Sequence, residues 1–348
     1  MDAIPTVILC STVMTSPIAI APALNAQTIH SSHQTDRVHT ADHRSANLIT
    51  DQLMAAHPIQ IAQAANPNNS TNSTAETPVT PATSDAQSIE EIVAQAIADY
   101  QAGNYDQTIT LLDRAIARDP SNANAYRYRG LAHHRKGQYS ETIADYDRAL
   151  TLTTDPEIQV KLYSDRGLAY YATGNYPQAI ANYDSAIALD ANYAPAYNHR
   201  GVVHYAEGRY AEAIADYDRA IERDADYAPA YNNRGLAYMA QGEATRAIAN
   251  YTQAIRRDAT YRDAYYNRGN AYFAQANYTN ALTDLNSVIE LDELYANAYF
   301  VRAAIAEQVG DRASAMTDYQ VAALLYERQG NALWQERASD RLKLLQPQ

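Results

Sequence analysis

Residues 194–227 read APAYNHRGVVHYAEGRYAEAIADYDRAIERDADY, and residues 228–261 read APAYNNRGLAYMAQGEATRAIANYTQAIRRDATY. The two stretches align without a gap, and eleven of the chain's twelve glycines fall on the same grid. Gly130, Gly167, Gly201, Gly235 and Gly269 make one series; Gly103, Gly137, Gly174, Gly208, Gly242 and Gly310 make a second, seven residues later. The step is 34 residues, apart from one interval of 37 and one skipped copy at Ala276. A period of this size marks units that cannot bury an apolar face alone and must stack on their neighbours.

Numbered from 1 to 34, the recurring residues of the units are Tyr at 4, Arg-Gly at 7 and 8, Gly at 15, Tyr at 17, Ala-Ile at 20 and 21, Tyr at 24, Ala at 27 and Asp at 31. Positions 1–14 place small and apolar residues at helical spacing, as in Tyr231, Gly235, Tyr238 and Met239. Gly at 15 ends that helix, because glycine enters the left-handed C-cap conformation without steric cost. Ile214, Tyr217, Ala220 and Ile221 mark a second helix. Small residues at 8, 20 and 27 let the helices of a hairpin approach while tyrosines fill the remaining volume.

Bulky residues at 4, 11, 17 and 24, alternating with small ones at 8, 20 and 27, resemble the tetratricopeptide repeat over residues 89–329. The resemblance implies an all-α fold: a right-handed superhelical solenoid of antiparallel helix hairpins with a C-terminal capping helix. Seven repeats fit, at 89–122, 123–159, 160–193, 194–227, 228–261, 262–295 and 296–329. The end copies depart from the pattern, with Ala96 and Ala303 at position 8 and Arg312 at position 17. Terminal repeats of such arrays are expected to be atypical.

The 37-residue interval contains Asp155, Pro156 and Glu157. An N-cap, a proline at the first helical position and an acid in the first turn predict that the third repeat's first helix starts near Pro156, about one turn longer than the others. After the last repeat, residues 330–346 place Leu333, Trp334, Ala338, Leu342 and Leu345 at helical spacing. This predicts a closing helix with Trp334 covering the seventh hairpin.

The N-terminal residues differ in kind. Residues 1–88 hold no Tyr, Phe or Trp, and residues 64–88 are mostly Asn, Ser, Thr, Pro and Ala, so residues 27–88 read as a disordered low-complexity linker. Residues 3–24 carry no charge, and small residues at Ala21, Ala23 and Ala26 fit a secretory signal peptide over 1–26. Asp2 stands where such leaders usually carry Lys or Arg. The expectation is an exported protein, periplasmic or equivalent, with the cytoplasm as the alternative. The sole cysteine, Cys10, would leave with the leader. No integral membrane span is expected, since Pro5, Pro17 and Pro22 interrupt the apolar run.

Arg129, Arg166, Arg200, Arg234, Arg268 and Arg302 recur at position 7. They are expected to pair with acids at position 23, such as Asp145, Asp216, Asp284 and Asp318, rather than to form a ladder for phosphates. A net charge of −13 also opposes nucleic-acid binding. No Gly-rich phosphate loop, cysteine cluster or His-Glu metal pair is present, and His133 and His204 occupy position 11, which Tyr170, Tyr238 and Tyr272 fill elsewhere. The chain is therefore read as no enzyme, with no cofactor, metal site or small-molecule substrate.

What remains is recognition of a protein or peptide. The resemblance implies that partners bind a concave groove through positions 2, 5, 9, 12 and 13. Carried onto this chain, the groove comprises Ser164, Leu168, Tyr171, Asn198, Val202, Tyr205, Asn232, Leu236, Met239, Tyr266, Asn270 and Phe273. Apolar rings with interspersed amides suit an extended or helical peptide. The Lys and Asn clamp of repeats that hold acidic tails is absent, because position 5 holds no Lys and position 9 holds Leu131, Leu168, Val202 and Leu236, with Asn only at Asn270. Alternatives are a self-associating homo-oligomer and an accessory subunit that orients a separate enzyme.

Overall fold

The computed structural model describes residues 87–346, which form fifteen helices and no strand. The proposed leader, and the linker apart from its last two residues, lie outside the described residues. Two compact units divide the rest at Leu189 and Asp190.

The first unit holds three hairpins: α1 (Ile89–Gln101) with α2 (Tyr105–Arg118), α3 (Ala123–Arg135) with α4 (Tyr139–Leu152), and α5 (Pro156–Ala172) with α6 (Tyr176–Leu189). Ser88 and Glu91 close a capping box at the start of α1. As expected from Asp155-Pro156, α5 starts at Pro156 and has 17 residues against the 13 of α3. The Asp155 carboxylate accepts the Glu157 N–H at 2.9 Å.

The second unit holds four hairpins and one closing helix. They are α7 (Ala194–Ala206) with α8 (Tyr210–Arg223), α9 (Ala228–Ala240) with α10 (Ala244–Arg257), α11 (Arg262–Ala274) with α12 (Tyr278–Leu291), α13 (Ala296–Gln308) with α14 (Arg312–Arg328), and then α15 (Ala332–Leu344). In each unit a second helix packs on the first helix of the next hairpin, and first helices also touch one another, α7 on α9, α9 on α11 and α11 on α13.

The glycines do the two jobs assigned to them. Gly242 sits at φ +80, with its N–H on Met239 O at 2.9 Å and the Glu243 N–H on Tyr238 O at 2.8 Å. This doubly bonded left-handed cap recurs after most first helices, and at the skipped copy Ala276 holds it at φ 55. At position 8 the absent side chain admits a ring. A Cβ on Gly235 would stand 2.6 Å from Tyr251 Cε1, and one on Gly167 the same distance from Tyr183 Cε1.

Second helices end where Asp occupies position 31. Asp119, Asp190, Asp224, Asp258 and Asp292 each accept the N–H two residues on, at 2.8 to 3.0 Å, which turns the chain into the next hairpin. In the seventh repeat that position is Tyr326, and α14 runs on to Arg328 before Gly330, at φ +67, stops it. Gly330 is the one glycine outside the grid. Trp334 on α15 is 2% exposed against Phe300 and Tyr326, as expected of a cover for the last hairpin. Leu333, assigned to the same inner face, is 54% exposed, because it precedes the Trp334–Ala338 stripe by one residue and turns outward.

Candidate functional site

Five of the position-7 arginines, Arg129, Arg166, Arg234, Arg268 and Arg302, bond to two second helices, and Arg200 donates Nε and Nη2 to Asp216 at 2.8 and 2.7 Å. Arg268 donates Nε and Nη2 to Asp284 at 2.8 and 2.7 Å and Nη1 to Thr252 of the preceding repeat at 3.0 Å. Arg302 does the same with Asp318 and Asn286, and Arg129 with Asp145 and Asp113. Where position 23 is Asn, Arg166 and Arg234 keep a single Nε bond to Asn182 and Asn250. The expected pairing holds, and the reach to the preceding repeat through position 25 adds to it. These guanidiniums are committed to the scaffold rather than presented to a ligand.

The first helices of the second unit carry a chain of amides. Asn233 Nδ2 donates to Asn198 Oδ1 at 2.9 Å, Asn232 Nδ2 to Asn233 Oδ1 at 3.3 Å, and Asn267 Nδ2 to Asn232 Oδ1 at 2.9 Å. This links α7, α9 and α11 through positions 5 and 6. Position 6 drew no attention in the sequence, although Asn233 and Asn267 share it with His199 and Asp165, all polar.

Eleven of the twelve expected groove residues are buried and only Phe273 is partly exposed. In the first unit, Ser164 and Leu168 are fully buried on α5, and Tyr171 stacks on Tyr176 with centroids 5.6 Å apart. In the second unit, Tyr205 packs on Tyr210 and Phe273 on Tyr278 across their own turns, while Tyr266 meets Tyr295 edge-on. Asn198, Val202, Asn232, Leu236, Met239 and Asn270 are each at most 8% exposed. In the second unit neighbouring first helices touch, and Asn198 and Asn232 bond across them, so these side chains hold hairpin to hairpin. Partly open positions on the same helices are 2 and 13: Pro195, Pro229, Asp263, Ala206 and Ala240, with Ala274 exposed. Positions 2 and 13 belong to the expected groove, but their small residues gave no signal of their own.

Two titratable groups inside the first unit, Asp165 and His134, are shifted by burial. Burial raises the Asp165 carboxyl to about 6, against a smaller opposing pull from Arg127 and Lys161. Burial also lowers the His134 imidazole to about 4, helped by the Arg135 charge, and neither ring nitrogen has a hydrogen-bond partner. In the second unit, burial lowers the His204 imidazole despite Asp216 at 3.6 Å. His133 and His204 both stand beside the position-23 acid, in the site tyrosines occupy elsewhere. Among the described residues no helix is long and apolar enough to cross a membrane.

Family models described as tetratricopeptide repeat match residues 93–156 and 263–293, and one described as TPR repeat matches 167–208, 203–242 and 235–276. The chain belongs to the tetratricopeptide repeat family. Such arrays serve in general as scaffolds for protein interaction, typically without catalysis. No curated protein matches the chain. Among solved structures, a tetratricopeptide repeat protein from Parabacteroides merdae is similar at 19% identity and TM-score 0.56, covering 72% of this chain and 98% of its own. PilW, a type IV pilus biogenesis factor, is similar at 17% identity and TM-score 0.51, with 60% and 94% covered. The human IFIT1 dimer with PPP-AAAA is similar at 13% identity and TM-score 0.53, with 74% and 73% covered. At these identities the likeness concerns the fold alone.

Proposed function

We propose that the chain is a non-catalytic scaffold that holds a polypeptide partner along the face made by its first helices. One observation carries this reading. On α7, α9 and α11 the open residues of this face, positions 2 and 13 with Phe273, hold no Lys or Arg and a single acid, Asp263, so what the face offers is small and apolar rather than charged. Such a face favours a partner that brings its own side chains into the gaps at Ala206, Ala240 and Ala274, and it disfavours recognition of a terminal carboxylate. Phe273 is the partly exposed ring among them.

The test is Ala206→Glu combined with Ala240→Glu, two substitutions at partly open positions. Loss of a purified partner's binding with unchanged helicity supports the reading; undiminished binding sinks it. A chain that elutes as a dimer, and as a monomer once these residues are changed, would make the partner a second copy.

The charge-free stretch at residues 3–24 supports a place outside the cytoplasm. Mass spectrometry of the mature N-terminus tests it: a start at Leu24 or Gln27 supports export, and an intact Met1 contradicts it.

A further inference from the structure

Position 11 holds a ring in five consecutive repeats: His133, Tyr170, His204, Tyr238 and Tyr272. The structure defines where that ring goes. His133 Nδ1 lies 2.8 Å from Gln138 Oε1 at position 16, and its Nε2 lies 3.9 Å from Asp145 at position 23. His204 Nε2 lies 3.6 Å from Asp216, also at 23. Tyr238 receives the Arg246 guanidinium, at position 19, over its ring at 5.4 Å, and Arg268, at position 7, lies one helical turn before Tyr272 on α11. The ring site is thus walled by positions 7, 16, 19 and 23.

In the seventh repeat position 11 is Ala306. At the corresponding place the structure has a cleft of about 500 Å³, open to solvent, and its walls include Arg302, Asp311, Ser314 and Asp318. These are positions 7, 16, 19 and 23. Leu282 of the preceding repeat and Val309 complete its apolar side. The cleft is the ring site with the ring removed. Its polar floor is kept: Asp318 remains buried and joined to Arg302 through two bonds of 2.7 and 2.8 Å.

We propose that this cleft binds an aromatic side chain bearing a hydrogen-bond donor, imidazole or phenol, supplied by a partner polypeptide. The five intact repeats show which chemistry fits those walls, and in each of them the ring arrives on a polypeptide. The Asp318 carboxylate favours a ring with an N–H or O–H over a plain hydrocarbon, since a donor can share an acceptor that a hydrocarbon would only desolvate. Val309, 55% exposed at the rim, gives the incoming chain apolar surface to lie on. The cleft lies between α12, α13 and α14, and it does not depend on the reading of the first-helix face.

The test uses the full chain with labelled Leu and Val methyls, titrated with acetyl-Gly-His-Gly-amide, acetyl-Gly-Tyr-Gly-amide and acetyl-Gly-Leu-Gly-amide. Saturable shifts at Leu282 and Val309 in the millimolar range are expected from the His or Tyr peptide, and at least about tenfold weaker shifts from the Leu peptide. Ala306→Tyr fills the cleft from within and should abolish the shifts; Ala306→Leu is the second filler should the first not fold. Equal binding of the Leu peptide, no saturation, or shifts that persist in a folded filled variant would overturn the proposal. Free 4-methylimidazole binding more tightly than the His peptide would assign the cleft to a small molecule and likewise overturn it.

Discussion

Tyr251 lays its ring edge where Gly235 lacks a side chain, so close that a Cβ there would stand 2.6 Å from Cε1 and 2.8 Å from Cδ1. Tyr251 is 1% exposed and has nowhere to retreat. Gly235→Ala is therefore expected to destabilise the chain by about 1–3 kcal/mol despite alanine's better helix propensity. At Gly269 the facing residue is Leu285, and the same Cβ would meet Asp284 Cβ at 3.3 Å and Leu285 Cγ at 3.5 Å. Gly269→Ala should be much milder, with the propensity gain of about 1 kcal/mol offsetting the contact. Urea denaturation of the two variants side by side checks the order; equal losses would show that the ring does not set the cost.

Ala276 holds a left-handed φ of 55 that glycine holds at the equivalent turns. Ala276→Gly should relieve this and stabilise by about 1 kcal/mol. The expected readout is a higher thermal midpoint with an unchanged circular dichroism spectrum, and a lower midpoint would contradict it.

Arg268 and Asp284 share two hydrogen bonds, with the Asp284 side chain 3% exposed. Asn already stands in that role at Asn182 and Asn250, each accepting one arginine Nε bond. Asp284→Asn should therefore cost under about 1 kcal/mol, whereas Asp284→Ala strands a guanidinium and should cost about 2 kcal/mol, below the full buried-pair penalty because Arg268 keeps some water. Chemical denaturation distinguishes the two.

Asp165 has its carboxyl raised by burial to about 6 in the folded chain, from an ordinary 3.8. The folded state then binds its proton more tightly than the unfolded state, so stability falls as pH rises from about 4 to about 6 and the penalty is complete above that. His134, lowered to about 4, works in the opposite sense: it costs stability as pH falls below the usual imidazole range. The two partly cancel in the wild type. Asp165→Asn separates them and places at position 6 the residue that Asn233 and Asn267 already show to fit. It should stabilise by up to roughly 3 kcal/mol at pH 7, with the gain shrinking between pH 6 and pH 4. A gain independent of pH would contradict the assignment to the carboxylate.

The sequence spoke clearly wherever a position repeats. The glycines at 8 and 15, the arginine at 7 with its acid at 23, the early start of α5 at Pro156 and the burial of Trp334 all follow from residue type and spacing, because each fixes a local geometry that neighbours cannot override. The groove was harder to read. Position 5, 9 and 12 residues such as Asn198, Leu236 and Tyr205 look available on a helical wheel, yet each is buried, with adjacent first helices in contact and Tyr205 packed on Tyr210 across its own turn. A wheel shows which side of a helix a residue occupies, not how near the next helix stands. The same limit explains why the Asn198–Asn233 bond and the cleft at Ala306 emerge only in three dimensions: each depends on residues from two or three helices at once.

The central claim, that a polypeptide partner lies along the first-helix face, is tested most directly by site-specific photo-crosslinking in the cells that make the protein. Benzoylphenylalanine would replace Ala206, Ala240 or Phe273 on that face, and Glu222 or Glu290 on exposed second-helix positions. A discrete crosslinked polypeptide from the first three sites and none from the last two is the predicted result. Crosslinks from the second-helix sites alone would contradict the claim.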